Sequence, residues 1–444
     1  MPSSPASLEH RAVSKVLWRL VPFMMLLYWF NYLDRVNISV ARFQMNGDLK
    51  FDDAIFGYGA AIFYIGYFFF EIPSNMLLEK FGARIWIARI MISWGLVSAA
   101  FTFVSSAWSF YALRILLGAT EAGFFPGMLL FLTYWIPANQ RARVGAIFMT
   151  SIALACALGQ PLSTFILDHM KGVAGLRGWQ WLFLLEGICT VLLGFSVYFF
   201  MTDKPAQARW LPDDEREWLS NHIASENART RSGHGSHELL HALLSPRVWL
   251  LSMIYVSLMF GFYGIIYWTP IIVKDVCSAE YGLLPNDSWY GVLSAIPYVA
   301  ATLGMIVLGR CSDRMNNRRG FVAGGMTVGA LSLIAASQTH STVWTLVALS
   351  TAAIGILGSL APFWALPSIF LTGTAAAAGL AFINSWGNLG GGFIGLWVMG
   401  YMKKEYNTYT YGLLCDAAML LLGAVLLHFV KAKQPTPQHA ESNL

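Results

Sequence analysis

Twelve separate runs of about twenty or more mostly apolar residues punctuate the 444-residue chain, and each is long enough for a helix to cross the hydrocarbon core of a bilayer. They fall at roughly 16–41, 55–78, 84–106, 110–136, 143–168 and 179–201, then 248–273, 289–309, 320–338, 342–371, 375–402 and 406–431. A soluble core cannot absorb this pattern: only 12% of residues are Asp, Glu, Lys or Arg, about half the ordinary share of about 25%. The sequence therefore predicts an all-α polytopic membrane protein, and it excludes disorder outside the ends and a disulfide-stapled secreted scaffold. The first apolar run is too long for a signal-peptide core and no small-residue cleavage site follows it, so it reads as a span. Cys156, Cys189, Cys277, Cys311 and Cys415 have no paired spacing and read as small apolar residues.

One long polar stretch, 202–247, separates an N-terminal six-helix bundle (1–201) from a C-terminal bundle and tail (248–444). Within it, Pro212-Asp213-Asp214-Glu215 before Arg216-Glu217-Trp218-Leu219 reads as the capped start of a surface helix. Cytoplasmic loops of membrane proteins concentrate Lys and Arg. With both termini cytoplasmic, twenty basic residues fall on that side and seven on the other, which predicts a cytoplasmic-membrane protein in this orientation. The net charge of +5 is thus loop charge, and nucleic-acid binding has no support. His234, His237 and His241 lie in a polar linker without carboxylate or cysteine partners at useful spacing, so they do not predict a metal site. No phosphate-binding loop indicates ATP drive.

The halves carry a repeated loop. Asn75 to Arg84, with Glu79, Lys80 and Gly82, follows the second span; Gly309 to Arg319, with Asp313 and Arg314, follows the eighth. An acid at a helix end among basic residues can latch electrostatically to a neighbouring helix terminus. Repeated halves place a binding site at mid-membrane between them in many secondary transporters.

Charge inside the hydrocarbon costs at least about 2.5–3.5 kcal/mol per residue, so each intramembrane charge is a functional candidate. Nearly all lie in the first half. Tyr28, Tyr32 and Arg35 share one face of the first span, and a guanidinium flanked by phenols suits a carboxylate. Adjacent Asp34 lies about 100° round the helix, where it can neutralise Arg35 or a neighbouring helix, or form a permanent structural pair. Arg114, Gly118 and Glu121 share a face of the fourth span, and a carboxyl among the small residues of Ala119 to Gly127 suits reversible protonation. Pairing of Glu121 with an arginine is the competing account. Tyr64, Tyr67 and Glu71 share a face of the second span; Glu71, before Pro73, reads as a snorkelling or packing acid, and Glu186 as a packing acid with a backbone or arginine partner or a third coupling acid. In the second half, Asn384 and Asn388 can donate to a bound oxygen or bond another helix. Trp364, between Pro362 and Pro367 where the tenth span should kink, can wall a cavity; Gln160 before Pro161 is a weaker polar candidate.

The second loop resembles the G-x-x-x-D-R-x-G-R-R motif of the major facilitator superfamily with one inserted residue, and Arg114 to Gly118 resembles its fourth-helix R-x-x-x-G motif. Tyr32 to Val40, Trp135 to Arg143, Gly178 to Gly187 and Asn384 to Gly392 are similar to the anion:cation symporter family within it. That resemblance implies a twelve-helix facilitator fold and a monomeric, cofactor-free, proton-driven importer of organic anions such as aromatic acids, tartrate or sugar acids. It implies Asp34 and Glu121 as proton-coupling acids, Arg35 as the substrate-binding arginine, and Tyr32, Tyr67 and one of the paired asparagines as substrate contacts. Gly159-Gln160-Pro161 departs from the G-x-x-x-G-P pattern of drug:proton antiporters. Export by antiport and a transporter-like nutrient sensor remain the alternatives; no nucleophile–base pair suggests an enzyme.

Overall fold

The computed structural model describes residues 5–231, 245–284, 286–315, 317–367 and 373–430, and among them every regular element is helical. The first half comprises α1 (Pro5–Leu49), α2 (Asp53–Phe81), α3 (Ala83–Ala100), α4 (Ala107–Glu121), α5 (Phe124–Trp135), α6 (Ala138–His169) and α7 (Gly178–Phe200). After α8 (Asp213–Arg231) come α9 (Pro246–Tyr281), α10 (Asp287–Met315), α11 (Arg318–Gln338), α12 (Thr342–Gly358), α13 (Leu360–Trp364), α14 (Gly373–Gly387), α15 (Leu396–Tyr406) and α16 (Thr410–Leu426).

Among the described residues, eleven stretches are long and apolar enough to cross a membrane. The remaining expected crossing, the eleventh in chain order (375–402), is built in three parts: α14, a π-helical stretch over Asn388–Gly395, and α15. Gly390, Gly391, Gly392 and Gly395 fall within the widened turns, which supplies the local reason for the departure from α-helix. The fourth span is also broken. Ala122 is extended (ψ 136°) and Gly123 is left-handed (φ 85°), so α4 stops at Glu121 and α5 restarts at Phe124. A side chain at Gly123 would also strike Ser74 Oγ. The tenth span gives way at Gly358, and α13 ends at Trp364 between the two prolines expected to break it.

Packing repeats between the halves. The first span packs on the fifth, the second on the fourth and the third on the sixth; the seventh packs on the eleventh, the eighth on the tenth and the ninth on the twelfth. The halves meet through α6 against α10 and α2 against α15. Large apolar side chains such as Phe199 (90% exposed), Phe69 and Leu303 cover the outer surface, as lipid contact requires.

One end of the molecule carries the start of α1 and the central segment and is called the linker face; the other is the far face. On the linker face α8 docks on the first half. Lys15 bonds Glu215 at 2.7 Å, Arg141 bonds Glu226 at 3.1 Å, and Trp135 stacks on Trp210. The helix expected after Pro212 is therefore present and held to the first half. His234, His237 and His241 lie outside the described residues. On the far face, Lys404 reaches Asp52 at 3.0 Å, and Asp168 accepts from the Ser288 N–H at 2.7 Å; both contacts join the halves.

Candidate functional site

Between the halves, midway along the spans, lies a cavity of about 40 Å³. Its first-half walls are Tyr28, Tyr32 and Arg35 of α1, Tyr67 of α2, Phe125 of α5, and Met149 and Ile152 of α6. Its second-half walls are Tyr255, Met259, Phe262 and Tyr263 of α9, Leu360 and Trp364 of α13, Asn384 of α14 and Asn388 of the π stretch.

Arg35 is the cation of this wall. Its side chain lies over the rings of Tyr32, Phe63 and Tyr67 at 5.3, 5.4 and 5.0 Å, so aromatic faces replace much of its hydration. Its Nε forms an ion pair with Glu121 Oε1, and Asn31 donates to the same oxygen at 2.8 Å. The break at Ala122-Gly123 places Glu121 at the very end of α4, opposite α1. Arg35 Nη2 and Glu121 Oε2 are buried with no hydrogen-bond partner. A cation beside a cavity with a donor to spare can take a carboxylate bidentately.

The structure separates residues that the sequence places together. Asp34 points away from the cavity and away from Arg35. It accepts from Trp94 Nε1 at 2.8 Å, Ser98 Oγ at 2.7 Å and Thr190 Oγ1 at 3.0 Å, tying α1 to α3 and α7. Of the two roles open to Asp34, it serves the neighbouring helices. Arg114 shares a face with Glu121 but bonds the carbonyls of Gly59 and Ala60, at 2.9 and 3.3 Å. The arginine that pairs with Glu121 is Arg35. Gln160 is buried, its amide atoms unpartnered, at the α6–α10 seam; it does not line the cavity. Glu186 accepts from Asn37 at 2.7 Å and Ser163 at 3.1 Å, a packing acid with polar partners.

Other expected residues do converge. Tyr32, Arg35, Tyr67, Trp364, Asn384 and Asn388 all line the cavity. Tyr263 donates to Asn388 Oδ1 at 2.6 Å. Glu71, set aside in sequence as a snorkelling or packing acid, is fully buried and bridges the halves: Asn384 Nδ2 donates to Oε1 and Ser385 Oγ to Oε2, each at 2.7 Å. The sequence reading also missed α9, which supplies four wall residues without any charge. Its signal was the recurrence of Tyr255, Tyr263 and Tyr267 at helical spacings in an otherwise apolar span.

The repeated loops latch differently from the expectation. Glu79 is exposed. The acid at the start of α3 is instead Asp203, whose Oδ1 accepts from the Arg84 N–H at 2.8 Å, while Gly82 turns the chain at φ 89°. In the second copy Gly309 is half-buried, Arg314 is exposed, and the side chain of Asp313 lies outside the description. There Arg319 donates to the carbonyls of Leu427 and His428, just past the end of α16, at 3.0 and 3.2 Å.

Residues 24–395 match the family model described as Major Facilitator Superfamily. The chain is 44% identical over 421 residues to the "Putative tartrate transporter" of Agrobacterium vitis, covering 95% of each. It is 37% identical over 425 residues to the "Quinolone resistance transporter" of Acinetobacter baumannii, covering 96% of each. The fold matches the xylose transporter XylE from E. coli, in a partially occluded inward open conformation, with a TM-score of 0.73 at 17% identity over 95% of this chain and 99% of that one. Eleven membrane-length helices among the described residues, two similarly packed halves and a family match over residues 24–395 agree: this is a multi-pass membrane transporter and it belongs to the major facilitator superfamily.

Proposed function

We propose that the protein imports a small organic carboxylate together with one or more protons, by alternating access, as a monomer in the cytoplasmic membrane with its linker face in the cytoplasm. The proton gradient drives it and no cofactor is needed. The observation that carries this reading is the Arg35–Glu121 ion pair at the wall of an aromatic cavity between the halves. The relative named for tartrate supports a small hydroxy acid as cargo.

The chemistry follows from the pair. While Glu121 is ionised it occupies Arg35, and an arriving carboxylate competes with it. A proton on Glu121 releases the guanidinium, and the substrate carboxylate then accepts from Arg35, with Tyr32, Tyr67 and the Asn384 and Asn388 amides completing its shell. Proton loss on the cytoplasmic side restores the internal pair and expels the anion. Asp34 serves as the second coupling acid through its three donors, which relay its charge to the α1–α3–α7 packing. If proton charge exceeds anion charge, each net positive charge entering gains about 2.3 kcal/mol per 100 mV.

The relative named for quinolone resistance favours a second reading, export in exchange for protons. Proteoliposomes containing a pH dye separate the two. L-tartrate, aromatic acids and sugar acids are added outside, with empty liposomes and Asp34→Asn as controls for passive entry. Protein-dependent lumenal acidification supports symport and names the substrate class; alkalinisation supports antiport. Binding without flux would move the protein to a sensor role.

A further inference from the structure

The proposed coupling uses Glu121 and Asp34; among the other buried acids of the described spans, Glu71 is the one that bridges the halves. Glu71 lies in the linker-face half of α2, with no exposed surface. Both of its carboxylate oxygens accept hydrogen bonds from α14, a helix of the opposite half. Of the contacts between the halves, this bridge stands on the linker-face side of the cavity, one helical turn from Tyr67. One of its two donors, the Asn384 amide, is itself a cavity wall residue. The far-face contacts are of another kind: Lys404–Asp52 and Asp168–Ser288 lie at loop ends and touch no wall residue.

We propose that Glu71 is an internal stand-in for the substrate carboxylate. In the empty carrier it holds the Asn384 amide and the Ser385 hydroxyl and so pins α2 to α14, closing the linker side without cargo. A bound organic anion draws the Asn384 amide to itself, because a side chain that lines the cavity must turn its donors from Glu71 to aim them at the cargo. Ser385 lies outside the wall and remains as the weaker half of the pin. This exchange of ligands deepens the organic-anion reading and rests on it; the bridge itself does not.

Two measurements on the full-length protein in nanodiscs test the parts separately. The first is hydrogen exchange of the empty carrier, read over residues 73–81 and 379–387. Glu71→Ala should speed exchange in both segments by at least about threefold, Glu71→Gln should fall between it and wild type, and far-face segments should not change. Unchanged exchange in the two linker-side segments would overturn the bridge. The second is affinity for a panel of L-tartrate, benzoate and galactonate. Glu71→Ala should bind the acid recognised by wild type severalfold more tightly, and Asn384→Ala should cancel that gain. Equal or weaker binding by Glu71→Ala would overturn the ligand exchange and leave Glu71 as a static pin. If no panel acid binds either protein while exchange rises as expected, the organic-anion reading and the ligand exchange fall together and the bridge stands.

Discussion

At the scale of single residues, the site is an equilibrium between two partners for one guanidinium. Glu121→Gln keeps the shape of the carboxyl but cannot reclaim Arg35 as an anion. This variant should lose concentrative uptake and retain substrate exchange in proteoliposomes; full accumulation would remove Glu121 from coupling. It also leaves Arg35 without its counter-charge, and breaking a buried pair costs about 3–5 kcal/mol. A bound carboxylate should therefore raise the melting temperature of Glu121→Gln by more than that of wild type. Arg35→Lys keeps the charge but loses the fork. One hydrogen bond to a charged group contributes roughly 1.5–3 kcal/mol, which predicts roughly 10–100-fold weaker anion binding by calorimetry. Affinity within twofold of wild type would take the guanidinium out of the anion site.

At the scale of elements, breaks and close approaches set where those residues point. Glu121 faces α1 because α4 ends there, and α4 can lie against α2 because Gly118 meets the Phe63 carbonyl and Gly66 meets the Ile115 carbonyl with no side chain between. Adding a methyl into packed space costs about 1–3 kcal/mol. Gly118→Ala should lower the melting temperature and yield of folded protein. Gly324→Ala in the second half, where a new Cβ meets nothing within 4 Å, should not. Equal melting curves for the two variants would show that the α2–α4 contact has slack that the geometry does not predict.

At the scale of the whole molecule, the far face is shut by backbone contact, by the Lys404–Asp52 ion pair and by the Asp168–Ser288 hydrogen bond. A Cβ on Gly57 would stand 2.6 Å from Gly400 Cα, so α2 and α15 touch main chain to main chain. Gly400→Leu should wedge this end open and abolish uptake, with a cysteine placed at Leu396 becoming reactive to a membrane-impermeant thiol reagent. Continued protection would mean that closure does not depend on this contact. Partial burial pulls the Asp52 carboxyl upward, but the Ile55 N–H and Lys404 outweigh it and hold it below the usual carboxylate range. A group lowered in this way supports its contact above its ordinary value of about 3.9 and loses it only as pH falls through the lowered one. Asp52→Asn should therefore leave the shape of the uptake profile between pH 5 and 8 unchanged. A shifted midpoint would place a proton-linked step at the far face.

What the sequence determined by itself is the part governed by local composition. Bilayer crossing needs only a run of apolar residues, so the crossings, the two halves and the surface helix after Pro212 are legible without any contact. The face shared by Tyr28, Tyr32 and Arg35 is legible too, since helical spacing alone puts them together. Pairings between helices are not, because they depend on helix rotation and on where a backbone breaks. Arg114 and Glu121 share a face yet bond different helices; Asp34 and Arg35 are neighbours yet point apart. Glu71 reads as a packing acid until α14, more than three hundred residues later in the chain, is laid against it. Only the tertiary structure decides which buried charge meets which, because the cost of burying each one is met by partners that the chain brings together last.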